Sequence, residues 1–120
     1  MITHLDNVVA YTYVKILIAL LTSFFLVTPA WAVDVAMNSD GLLLFEPSDI
    51  TIKAGESIHF VNGMLPPHNI IVEGRADLSR ESLMFSPGES QDIKFADAGD
   101  YDFFCGHHQG AGMTGTIHVN

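Results

Sequence analysis

At 120 residues the chain has room for one domain, and 48% hydrophobic against 16% charged residues is too apolar for a disordered chain. The net charge of −9 argues against nucleic acid as a partner, because an acidic surface cannot neutralise phosphates. Acidity points instead to solubility and to steering towards a basic surface.

The chain opens on an apolar run, ILIALLTSFFLV at 16–27, behind Lys15 and ahead of Thr28, Pro29 and the small-residue site Ala30-Trp31-Ala32. A membrane span needs about 20 apolar residues, so this shorter run with an A-x-A ending predicts a signal peptide over 1–32. The domain is then 33–120, and the protein is exported. Losing the leader removes one lysine and one aspartate, leaving 4 basic and 13 acidic side chains and the same net charge.

Beyond residue 33 the pattern is short strands with turn punctuation. Val33 to Met37 alternates apolar and polar residues, as a half-buried strand does. Strands are predicted over 42–45, 50–53, 57–62, 69–73, 90–95, 99–105 and 114–119. KAGE at 53–56 and SPGE at 86–89 open strands as turns. Residues 74–89 follow no strict period and predict a surface loop with a helical turn near 78–83. About eight strands of this kind predict an all-β, Greek-key β-sandwich. Within 101–105, Tyr101, Phe103 and Cys105 point one way and Asp102 and Phe104 the other, so Cys105 faces the core and Phe104 faces outward.

Cys105 is the only cysteine in a chain read as exported, so no disulfide within the chain explains it. It opens the run Cys105-Gly106-His107-His108-Gln109-Gly110-Ala111-Gly112-Met113, which gathers a thiolate, imidazoles and a thioether in nine residues. Taken singly, each of these fits an ordinary hairpin with a buried Cys and Met. Together, the soft sulfur ligands with imidazole select copper over zinc, and a His₂Cys set with an axial Met is the pattern of a blue-copper electron-transfer centre. Pro67-His68-Asn69 supplies the second imidazole, and Asn69 is placed to hydrogen-bond across to the Cys105 loop. The predicted ligands of one Cu ion are His68, Cys105, Met113 and one of the adjacent His107 and His108. Glycines at 106, 110, 112 and 115 let this loop turn tightly. His59 and His118 alternate with apolar neighbours and are expected on solvated faces.

Pro67-His68-Asn69, Tyr101 to Cys105 and His108 to Gly115 resemble the motifs of the plastocyanin family, including the spacing Cys-x₂-His-x₄-Met, which implies that the ligands are His68, Cys105, His108 and Met113. Gly41 to Ser48 resembles that family's second strand, and the likeness covers nearly all of 33–120. The resemblance implies a cupredoxin sandwich, not an enzyme, carrying electrons from cytochrome f of the cytochrome b6f complex to photosystem I. It implies a monomer in the thylakoid lumen, peripheral to the membrane, of cyanobacterial type because the leader lacks a plant transit peptide's two-part form. Docking is expected through an apolar patch of Leu43, Leu65, Pro66, Pro67 and Ala111 around the ring edge of His108. The chain departs from the family at His107, where proline is usual, and at Phe104, where tyrosine is usual. It is also shorter between His68 and Cys105 than plant members, which dilutes their acidic patch.

The alternatives belong to other classes. A multicopper oxidase flanks its cysteine with histidines, whereas Phe104 and Gly106 flank Cys105. A copper-storage protein carries many Met and His ligands rather than one closed set. A periplasmic cupredoxin donating electrons to another redox enzyme has the same ligand set and differs in partner and compartment.

Overall fold

Period-2 alternation becomes strand wherever one face can be buried, and the segment 57–62 shows it most plainly: Ile58, Phe60 and Asn62 are buried, and Ser57, His59 and Val61 are half-buried. The structure, a computed structural model, describes residues 8–13, 31–64 and 67–120. Residues 8–13 are helical, and the remainder of 1–30 lies outside the described residues. The predicted leader boundary after Ala32 falls within the first strand, which begins at Trp31.

Among the described residues nine strands form, in chain order β1 (Trp31–Met37), β2 (Phe45–Glu46), β3 (Asp49–Ile52), β4 (Ser57–Asn62), β5 (His68–Val72), β6 (Arg80–Met84), β7 (Ser90–Lys94), β8 (Gly99–Phe104) and β9 (Thr114–Val119). They build a four-stranded sheet, β2-β1-β4-β7, and a five-stranded sheet, β3-β9-β8-β5-β6. β1 pairs with β4 and β3 with β9 in parallel, and the other neighbours are antiparallel. The buried cluster between the sheets contains Val35, Ile58, Phe60, Ile93, Phe103 and Ile117. Its centre is aromatic. Phe103 of β8 meets Phe45 of β2 edge-on at 4.7 Å and Phe60 of β4 at 5.7 Å, so one ring from the five-stranded sheet locks two from the other. Each such contact adds about 0.5–1.5 kcal/mol beyond the burial of the ring.

Two expectations fail. The strand predicted over 42–45 shrinks to Phe45–Glu46. Residues 38–44 instead form a loop, with Asn38 and Gly41 at φ +59° and +76° and Asn38 N–H donating to the Leu44 carbonyl. The apolar side chains of Leu42 and Leu44 are therefore exposed. The helical turn predicted near 78–83 is β6, paired antiparallel with β5 through His68↔Met84 and Ile70↔Arg80. Turn hydrogen bonds stop earlier, at Ser79 N–H to the Arg75 carbonyl. Pairing with β5, whose registered partners lie 10 and 16 residues away in sequence, overrides the local pattern.

Candidate metal centre

His68 starts β5 and Cys105 immediately follows β8, and these strands are neighbours in the five-stranded sheet. Both side chains are fully buried. The loop 105–113 is closed by its own backbone. Cys105 N–H donates to the Met113 carbonyl at 3.1 Å, and His108 N–H donates to the Cys105 carbonyl at 3.1 Å. The His108 carbonyl accepts from Ala111 and Met113, around a single 3₁₀ turn at Gln109–Ala111. Gly112 ends that turn at φ +89°, a conformation that favours glycine. The result sets Cys105 beside Met113, which is also fully buried, and leaves His108 half-buried at the surface.

Cys105 Sγ lies 3.8 Å from His68 Nδ1 and 3.3 Å from His108 Nδ1. The three ligand atoms all fall within 4.8 Å of one another, and the imidazole rings meet edge-on at 5.0 Å. Burial, and then the nearby His108, lower the pKa of His68. That favours the neutral ring, the form that binds a metal. A thiol sulfur and two imidazole nitrogens converging with no carboxylate among them make a soft donor set that fits copper.

Asn69 braces this cluster as its position predicts. Its Oδ1 accepts from Gly106 N–H at 2.7 Å, and its Nδ2 donates to the Glu81 carbonyl at 3.0 Å. One amide thus ties the ligand loop to β5 and β6, and Glu81 enters only because β6 exists. The strand parity read from sequence holds: Phe103 is buried, Asp102 exposed and Phe104 half-buried. His107 is exposed beside the loop.

Of the residues expected to form the docking patch, Leu43 and Pro67 are half-buried and Ala111 is exposed, while Leu65 and Pro66 lie outside the described residues. Sequence reading missed other apolar side chains that reach solvent, Leu42, Met64 and Phe85, each 58–60% exposed. Phe85 directly follows Met84, the strand partner of His68. A phenylalanine placed just before the turn SPGE was the available signal. His59 and His118 stand outside the cluster on the outer faces of the two sheets, as expected, each facing aspartate.

The profile of the copper binding proteins of the plastocyanin/azurin family matches residues 31–120. The chain is 47% identical over 96 residues to the plastocyanin of Scenedesmus fuscus, covering 72% of this chain and 98% of that one. It is 39% identical over 120 residues to the plastocyanin of Nostoc punctiforme, covering 86% of each. Among solved structures it resembles the oxidised plastocyanin of Dryopteris crassirhizoma, with a TM-score of 0.65 at 28% identity, over 72% of this chain and 99% of that one.

Proposed function

The chain belongs to the plastocyanin/azurin family of copper-binding proteins, and from that premise we propose that it carries electrons from cytochrome f of the cytochrome b6f complex to photosystem I. Its fold is the cupredoxin β-sandwich, and it is a blue-copper electron carrier with one type I copper. The proposal extends to the ligands His68, Cys105, His108 and Met113, to removal of 1–32, and to residence of 33–120 in the thylakoid lumen as a monomer. It also includes that the chain transforms no substrate. The apolar leader 16–27, the acidic charge and the resemblance to plastocyanins support this reading. Among the described residues no helix is long and apolar enough to cross a membrane.

The observation that carries the proposal is the buried meeting of His68, Cys105 and His108 within 4.8 Å, with His108 alone reaching the surface. Bound copper supplies a one-electron couple that the protein's own side chains lack. Burial of His68, Cys105 and Met113 keeps water from the donor atoms. The two strands and the closed loop hold those atoms in place, so they need little movement when charge changes. His108 is half-buried, and with the apolar Leu43, Pro67 and Ala111 it would offer an edge to a partner across a small contact. Transient redox encounters use such small areas and release quickly.

Two measurements test the proposal. The copper(II)-loaded protein should show an intense thiolate-to-copper absorption band, lost in Cys105→Ser and in His108→Ala and kept in His107→Ala. A band that survives Cys105→Ser sinks the ligand assignment. Stopped-flow mixing with reduced cytochrome f, and flash oxidation by photosystem I, should both give saturable, second-order transfer. Absence of reaction with both would redirect the search to another redox partner.

A further inference from the structure

The outer face of the five-stranded sheet carries a cluster of titratable groups far from the metal loop. β9 lies between β3 and β8, and its His118 is paired in register with Thr51 of β3 and Asp100 of β8. The imidazole reaches carboxylates on both flanks: Nε2 lies 2.9 Å from Asp49 Oδ1, and Nδ1 lies 2.7 Å from Asp100 Oδ1. A carboxylate oxygen only accepts hydrogen bonds, and a neutral imidazole has only one N–H to give. Satisfying both aspartates therefore requires the doubly protonated ring. Without the second proton, a ring lone pair faces a carboxylate.

We propose that His118 is a proton-operated clasp, which when charged ties the edge strand β3 to β8 across β9 and on losing a proton releases one of the two aspartates.

β3 has little else to hold it in its sheet. It is only four residues long, stands at the sheet edge and pairs with β9 alone. Asp49, at its first residue, is where the clasp takes hold. Other charges lie on the flanking strands. On β8, Asp102 accepts from Thr116 Oγ1 at 3.0 Å, two register positions from the Asp100–His118 pair. Lys53 directly follows β3. The environment of the ring is thus mainly acidic, which holds the proton on. The hydrogen bond to Asp100 first, then the charge of Asp100 and the like contributions of Asp49, raise the pKa of His118. A raised folded-state pKa gives stabilisation that is complete below the ordinary histidine value of about 6.5 and is lost as pH rises through the folded midpoint.

The test is an NMR pH titration of the copper(I)-loaded protein, reading the His118 ring carbons together with amide exchange over 49–52. The His118 midpoint is expected above about 6.5, and Asp49→Asn should lower it. Protection of the β3 amides in wild type relative to His118→Gln should be greatest in acid and vanish once the midpoint is passed. A midpoint at or below about 6.5, or a protection ratio equal at both ends of the titration, overturns the clasp. Should His118→Gln not fold, Asp49→Asn carries the test, and a midpoint that it leaves unmoved overturns the proposal equally.

Discussion

A Cβ on Gly115 would run into the Ser48 carbonyl oxygen and the ring of Phe103. Phe103 is the ring that locks Phe45 and Phe60 across the sandwich, so it has little freedom to yield. Overpacking of this kind costs about 1–3 kcal/mol. Gly115→Ala should therefore lower the thermal midpoint by roughly 4–8 °C for each kcal/mol lost, with calorimetry as the check. Asn69 makes a second test at this scale. Asn69→Leu keeps the volume but removes the acceptor of Gly106 N–H and the donor to the Glu81 carbonyl. Leaving buried polar groups unpaired costs about 1–3 kcal/mol, and chemical denaturation should show a loss of that size together with faster release of copper. That Asn69 would serve the ligand loop was legible from its place beside His68. Its second partner was not, because Glu81 lay in a segment with no readable period.

At the scale of elements, β8 delivers Cys105 inward and Phe104 to the opposite face, where Phe104 stands in register with Ile71 of β5 and Thr114 of β9. If electrons pass through His108, the flank at Phe104 is a bystander. Phe104→Tyr should then change the rate of partner reduction by less than about twofold, the scale of one hydroxyl contact worth about 0.5 kcal/mol. A much larger gain, read by stopped-flow, would make the flank an entry point for electrons. β6 shows why the sequence misled over 78–83. Of its five residues only Met84 is buried, and Arg80 and Glu81 stay towards solvent. An edge strand with one buried side chain has too little alternation to register, and charges along it blunt pairing with other chains. The loop 38–44 failed in the opposite direction: three successive leucines read as strand, while the positive φ angles of Asn38 and Gly41 turn the backbone away.

For the molecule as a whole, the net charge of −9 acts at longer range than any single contact. At about 0.1 M ionic strength the Debye length is roughly 10 Å, so steering towards a basic partner fades there. Second-order rates with cytochrome f should fall as salt rises, and with a shallower slope than in plant members, because Arg75 and Arg80 mix with Asp77 and Glu81 after β5. A rate that climbs with salt would mean an acidic partner. Copper also stabilises the whole domain, because its donors converge only in the folded chain. A metal present at a thousand times its dissociation constant adds about 4 kcal/mol. Copper removal should lower the thermal midpoint accordingly, and an unchanged midpoint would show that the site does not bind it tightly.

By itself the sequence determined the chemistry of the site and most of the strands, because both are local. Three of the four expected ligands fall within nine residues, and a period of two needs only neighbours to be visible. Tertiary structure decided what depends on residues far apart in the chain. It placed His68 against Cys105 across 37 residues and made a strand of Arg80–Met84 by pairing it with β5. It also turned His118, read from sequence as a solvated histidine, into a bridge between Asp49 and Asp100. The physical reason is the same in each case: hydrogen-bond and charge partners are chosen by strand order and register, which two sheets fix only when they close on one core.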